Sequence, residues 1–174
     1  MTFGPDHEIG FATARELLSK IEASEISSAE LTEVFIQRVI AVDDCDGGLQ
    51  SVLAISTDVK KQSETQTGIG TLKGLPVFIK DNIEAIGLPA TAGSLALAGR
   101  SAKRDATVVT QLREAGAVIL GSTNLSEWAN IRSPQSTSGW SAVGGLTANP
   151  WNYAHSAGGS SSGSGAAVAA GLIP

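Results

Sequence analysis

The stretch DATVVTQLREAGAVILG (105–121) decides the fold class of this chain. Its first part is typical of a helix, with Asp105 as the predicted N-cap and Gly116 just past the end. The second part, AVILG (117–121), is a short apolar run that is typical of a buried strand. A similar run, LPVFIK (75–80), precedes it. Strand, helix and strand therefore follow one another, which predicts a parallel pair joined by a right-handed crossover.

Two helices are predicted before this unit, and a further strand is predicted at LQSVLAIS (49–56). FATARELLSKI (11–21) places its apolar residues on one helical face. SSAELTEVFIQRVIAV (27–42) begins with a capping box and carries a second apolar face. We expect both helices to pack on elements that come later in the chain. The expectation is one α/β domain, with residues 1–48 as a helical cover and residues 49–174 as a sheet core.

The composition excludes several classes of protein. The chain has 174 residues, of which 42% are hydrophobic and 17% charged, and its net charge is −5. This charge argues against a nucleic-acid partner or an anionic membrane surface. A single cysteine, Cys45, and two histidines give no disulfide framework and no cysteine-based zinc site, so a metal site would have to rest on carboxylates. Neither a metal nor an organic cofactor is expected. With no signal-peptide pattern and no apolar run of roughly 18 residues, we expect a cytoplasmic protein.

One edge of the predicted sheet carries polar residues. Lys80 ends the strand run 75–80, and Thr123–Asn124 follow the strand run 117–121. Ligands bind at the carboxyl ends of strands in open α/β sheets. Two interpretations of Lys80 stay open at this point. Its amine either reaches the surface or pairs with Asp81, or burial lowers its pKa so that the neutral amine acts as a general base.

The glycine- and serine-rich stretch AGGSSSGSGAAVAAG (157–171) has three possible chemical uses. A phosphate cradle is disfavoured because Gly165 is not followed by lysine and then serine or threonine. A nucleophile elbow fits GSSSG (159–163) with Ser161 at its centre, but neither an acid nor a histidine follows in this chain. Ser–Lys catalysis with Lys80 as the base needs no histidine and no metal. A flexible linker is disfavoured because a helix-like segment follows the serines.

Three separated motifs together resemble the amidase signature family. They are GLPVFIKDNIEAIGLPATAGS (74–94), GAVILGSTNLSEWA (116–129) and the glycine- and serine-rich stretch 157–171, and the similarity runs from about residue 72 to residue 171. The resemblance implies a three-layer α/β/α fold with a mixed sheet. It also implies a Ser–cis-Ser–Lys triad, in which Lys80 is the lysine and Ser160 is the cis-serine.

The same resemblance implies an amide hydrolase that acts on carbon–nitrogen bonds of non-ring amides through an acyl-enzyme. We expect a cis Gly159–Ser160 peptide bond, with the Ser160 hydroxyl within hydrogen-bonding reach of the Lys80 amine. The attacking serine and the oxyanion hole are expected about two dozen residues after Ser160, beyond residue 174. The chain is then the N-terminal part of a longer enzyme and is inactive alone. The alternative is a non-catalytic, amidase-like binding module or pseudoenzyme.

The motif NLSEWAN (124–130), combined with GGSSSGSG (158–165), resembles the branch of the family that contains peptide amidases and aryl acylamidases. Trp128 and Ser161 are candidate substrate-binding residues. The alternative for Trp128 is packing in the core or in a loop, and the alternative for Ser161 is a hydrogen bond that stabilises the loop. The expected partners are a small-molecule or peptide amide substrate, the remainder of the same protein and a second copy in a homodimer. Neither nucleic acid nor membrane is expected.

Overall fold

The computed structural model of the protein describes residues 6–65 and 70–174. Its helices are α1 (His7–Gly10), α2 (Ala14–Glu22), α3 (Ser28–Arg38), α4 (Val59–Thr65), α5 (Thr107–Glu114) and α6 (Ser162–Ala169). A π-helical turn, Val39–Asp43, continues α3, and 3₁₀ turns cover Leu95–Leu97 and Glu127–Asn130. The strands are β1 (Val52–Ile55), β2 (Pro76–Lys80), β3 (Val118–Thr123), β4 (Trp140–Ser141) and β5 (Gly145–Leu146). Within the described ranges, no helix is long and apolar enough to cross a lipid bilayer.

The central sheet is mixed, as predicted. Its strand order is β1-β3-β2, and β4 and β5 form a separate two-stranded ribbon. β2 runs parallel to β3, whereas β1 runs antiparallel to it. The predicted parallel pair is therefore confirmed. In its register Lys80 lies opposite Thr123, so both residues stand at the same edge of the sheet.

The two faces of β3 pack against different layers, because successive side chains of a strand point to opposite sides. Val118 and Leu120 belong to a buried cluster that also contains Leu31 and Phe35 of α3. Ile119 belongs to a second cluster on the other face, together with Val109 of α5. Helices therefore lie on both sides of the sheet, which gives the predicted α/β/α arrangement.

α3 begins where the sequence predicts, whereas α2 begins at Ala14, three residues later than the predicted helix 11–21. Ser27 and Glu30 form a capping box at the start of α3, in which the Glu30 amide donates to Ser27 Oγ (3.2 Å) and the Ser27 amide donates to Glu30 Oε2 (2.9 Å). Thr13 and Glu16 form an equivalent box at the start of α2. Each box satisfies backbone N–H groups that have no partner inside the helix. The predicted packing of these helices on later elements is confirmed.

The predicted role of Asp105 as an N-cap is wrong. The N-cap of α5 is Ala106, and its side chain makes no capping bond. The Asp105 carboxylate instead accepts from the Ile86 amide (2.7 Å) and from Arg113 Nε (3.0 Å). An ion pair with a partner eight residues away, together with a backbone donor from another loop, takes the carboxylate away from the helix end.

Arg38 connects the helical cover to the last helix. It lies at the end of α3 and is fully buried. Its Nε donates to the Gly171 carbonyl (2.6 Å) and its Nη2 donates to the Ala170 carbonyl (3.1 Å). These carbonyl groups follow the C-terminal end of α6, where backbone acceptors lack partners inside the helix. Arg38 therefore holds the far end of α6 from within the protein.

Candidate active site

Lys80 points at the glycine- and serine-rich loop. It is the last residue of β2 and is half-buried. Its Nζ donates to Ser160 Oγ (2.8 Å) and to Ser161 Oγ (2.9 Å). Desolvation by burial lowers the pKa of Lys80 below its ordinary value. The amine thus contacts two serine hydroxyls, and its described partners do not include Asp81. A role of Lys80 as a general base stays a prediction.

Asp81 follows Lys80 in the chain, but its carboxylate has other partners. It is fully buried and accepts from the backbone amides of Thr91 (3.2 Å) and Gly93 (3.3 Å), and from the Thr91 hydroxyl. Buried carboxylates need such donors to offset the loss of water. Asp81 therefore folds the loop after β2 back onto the sheet edge.

The Gly159–Ser160 peptide bond is cis, as predicted. Gly159 passes so close to Ser126 that a Cβ atom at position 159 would lie 2.2 Å from Ser126 Oγ. The Ser160 carbonyl accepts from the Ser126 amide (3.1 Å). The loop that carries Ser160 is therefore fixed against the segment that follows β3.

Ser126 is a residue of this site to which the sequence assigned no role, although it lies within the motif NLSEWAN (124–130). Besides holding the Ser160 carbonyl with its amide, it accepts from the Gly139 amide through Oγ (2.8 Å). It is fully buried. The signals in the sequence are its place in that motif and its position two residues after Asn124, at the sheet edge where ligands are expected. Ser126 thus joins two loops around the serines.

The start of α6 packs directly on the end of β3. A Cβ atom at Gly163 would lie 2.3 Å from the Ser51 carbonyl oxygen and 2.5 Å from the Asn124 nitrogen. The Gly163 amide donates to the Asn124 carbonyl (3.0 Å), and Thr123 Oγ1 lies 2.8 Å from Ser164 Oγ. This close approach brings the N-terminal end of α6 beside the end of β2, where Lys80 is.

Asn124 lies at the predicted edge, but its amide group is used inside the protein. Its Nδ2 donates to the carbonyl groups of Gln50 (3.2 Å) and Gly145 (3.2 Å), and its Oδ1 accepts from Ser141 Oγ (2.7 Å). The side chain is fully buried. Asn124 therefore organises the surrounding loops, whereas the sequence marked its position as a place where ligands bind.

Trp128 lines a large cleft of about 840 Å³, together with Asp81, Asn82 and Ala92. The Trp128 amide donates to the Ala92 carbonyl (2.9 Å), so the loop folded by Asp81 holds the tryptophan in place.

Trp128, Ala129 and Asn130 have φ angles of 51°, 55° and 67°, which are uncommon outside glycine. Lys80 and Ser160 are not among the residues that line the large cleft. A contact between Trp128 and substrate stays a prediction.

Comparison with known proteins decides the family to which this site belongs. A family model described as Amidase matches residues 30–174, which include Lys80, Trp128 and Ser160. The chain belongs to the amidase family. The amidase resemblance read from the three motifs is therefore confirmed.

Relatives with solved structures share the fold closely. The peptide amidase from Stenotrophomonas maltophilia matches with a TM-score of 0.89 and 44% identity, over 93% of this chain and 34% of that one. An amidase family protein from Bacillus anthracis str. Ames matches with a TM-score of 0.89 and 35% identity, over 96% of this chain and 34% of that one.

A curated relative is a subunit of an amidotransferase. A glutamyl-tRNA(Gln) amidotransferase subunit from Acidothermus cellulolyticus is 39% identical over 167 residues, which are 91% of this chain and 31% of the relative. The chain thus spans about a third of the length of each of these amidase relatives.

Proposed function

We propose that this chain is the N-terminal part of an enzyme that hydrolyses the carbon–nitrogen bond of non-ring amides through an acyl-enzyme. The observation that carries the proposal is the 2.8 Å contact between Lys80 Nζ and Ser160 Oγ. Membership of the amidase family supports it. The roles assigned to Lys80, Ser160 and Trp128 are part of the proposal.

In this mechanism Lys80 is the base. Burial lowers the pKa of Lys80, which favours the neutral amine. Its lone pair takes the proton of the Ser160 hydroxyl while Ser160 takes the proton of the attacking serine, which we place in sequence that follows residue 174. A hydroxyl can accept one hydrogen bond and donate another, so Ser160 is suited to this relay.

The attacking oxygen adds to the amide carbonyl, and the carbon–nitrogen bond then breaks. The departing nitrogen receives the proton back through Ser160, and an ester between serine and the acyl group remains. Water hydrolyses the ester along the same proton path in reverse. The mechanism uses no metal and no organic cofactor.

For the substrate we infer a small-molecule or peptide amide. The likeness to a peptide amidase at 44% identity supports this class. Trp128 lines the large cleft, and its indole provides an apolar wall for a side chain of such a substrate. Trp128 is 36% exposed, so part of the indole is open to a ligand.

The test uses the protein purified from its natural source, whose intact mass reports its length, beside the 174-residue chain. Turnover of a peptide amide is measured before and after chelator treatment for the source protein and for its Ser160→Ala and Ser162→Ala variants. Ser162 is a matched control because its Oγ is buried with no hydrogen-bond partner among the described residues.

We expect turnover in the source protein, no turnover in the 174-residue chain, a severe loss in Ser160→Ala and little change in Ser162→Ala. General acid–base steps contribute about 10²–10⁴-fold, which sets the size of the expected loss. A source protein that binds amides without hydrolysing them would favour the binding-module alternative. Turnover that disappears with the chelator would point to a metal.

A further inference from the structure

Two serine hydroxyls contact one amine at this site. Lys80 Nζ lies 2.8 Å from Ser160 Oγ and 2.9 Å from Ser161 Oγ. A neutral amine has two N–H donors and one lone pair, so the lone pair faces only one of these hydroxyls at a time. If the amine is a base toward Ser160, an N–H group must point at Ser161.

The surroundings of the two serines are different. Ser160 is half-buried, and the Ser126 amide holds its carbonyl (3.1 Å). Ser161 is exposed and is the N-cap of α6, and its carbonyl accepts from the Gly165 amide (3.0 Å). Within the described residues, the contact with Lys80 is the hydrogen bond that the Ser161 side chain makes.

We propose that Ser161 is a positioning residue, whose hydroxyl oxygen accepts an N–H of Lys80 and so turns the lone pair of the amine toward Ser160. This inference rests on the proposed function. It also gives Ser161 a different role from the substrate contact that the sequence predicts, because the oxygen of its side chain already has a partner inside the protein.

The effect of this hydrogen bond on the pKa of Lys80 follows from the groups around the amine. The Asp81 carboxylate is bound to Thr91 and Gly93, and the N-terminal end of α6 presents the positive end of a helix dipole. A hydrogen bond from an ammonium is stronger than one from a neutral amine. Removing the Ser161 acceptor therefore destabilises the charged form more, and it lowers the pKa of Lys80 further.

The experiment titrates lysine side chains labelled with ¹³C at Cε by NMR. The 174-residue chain is compared with its Ser161→Ala, Ser161→Thr and Ser162→Ala variants, and the Lys80 signal is assigned by its loss in Lys80→Met. We expect Lys80 to titrate at lower pH in Ser161→Ala, and at the parent pH in Ser161→Thr and Ser162→Ala. An unchanged titration in Ser161→Ala would overturn the inference, and so would a shift in Ser161→Thr as large as that in Ser161→Ala.

Kinetics of the same variants in the source protein separate positioning from substrate binding. Positioning predicts that kcat falls about tenfold in Ser161→Ala with KM nearly unchanged, and that threonine restores it. A rise in KM with kcat intact would assign Ser161 to substrate binding instead. A source protein with no amide turnover would defeat the proposed function, whereas the NMR titration would still decide whether Ser161 holds the amine.

Discussion

The helical cover (α2 and α3) and the serine edge of the sheet (Lys80 at the end of β2, with residues 159–164 beside it) are built in opposite ways. In the cover, α2 and α3 bury large apolar side chains such as Leu17, Leu31 and Phe35. At the serine edge, glycines let backbone approach backbone, and Gly163 leaves no room for a methyl group beside Ser51 and Asn124. Apolar packing tolerates exchanges of similar volume, whereas close backbone approach does not. The position of Lys80 relative to Ser160 therefore depends on the serine edge, which is the region with the least room for added atoms.

The largest effect is expected at the serine edge, from Lys80→Met in the source protein. This change removes the base while keeping an unbranched side chain, so kcat should fall by about 10²–10⁴-fold. The parent rate should rise with pH through the lowered pKa of Lys80 and level off above it, because only the neutral amine accepts a proton. Turnover measured against pH checks both points. If the residual activity of Lys80→Met keeps the same rise, another group is responsible for it.

The second test adds one methyl group at two positions of the same helix. Gly163→Ala should destabilise the chain by about 2–3 kcal/mol, because the new Cβ meets backbone atoms that cannot move aside. Gly165→Ala has nothing within 4 Å of its new Cβ and should stabilise α6 by up to about 1 kcal/mol. Urea unfolding of the 174-residue chain measures both changes. Equal effects would mean that close packing at Gly163 does not hold the serine edge.

The smallest effect is expected in the helical cover. Leu31→Met keeps the volume of a fully buried side chain, so the free energy of unfolding should fall by less than about 1.5 kcal/mol. The same urea experiment measures it, with turnover of the source protein as a second observable. If Leu31→Met lowers the free energy of unfolding by more than Gly163→Ala does, the helical cover tolerates change no better than the serine edge.

The sequence predicts the parts of this molecule that depend on local pattern. The buried runs that became β2 and β3 are short and apolar, and their parallel pairing follows from the helix between them. Local pattern does not predict which serine, Ser160 or Ser161, takes part in the chemistry with Lys80, because the residues alone left both possible. The family resemblance favoured Ser160, and the structure brings both hydroxyls to the same amine.

The features that sequence could not predict depend on contacts between distant residues. Asp105 has the residue type of an N-cap, yet Arg113 and the Ile86 amide compete for its carboxylate. The role of Ser126 depends on the contact between its amide and the carbonyl of Ser160, which lies 34 positions later in the chain. Side-chain type and spacing carry no information on which of several backbone groups will arrive as a partner.

The Arg38 contacts have a consequence for anyone who trims this protein. A shortened chain that starts after α3 would lose apolar cover, and it would also leave the Ala170 and Gly171 carbonyl groups without their guanidinium donor. Those carbonyl groups lie at the opposite end of α6 from Ser161 and Ser160. Fraying that starts there would travel along eight residues toward the hydroxyls that meet Lys80. The N-terminal boundary chosen for expression therefore also affects how rigidly Ser160 and Ser161 are held beside Lys80.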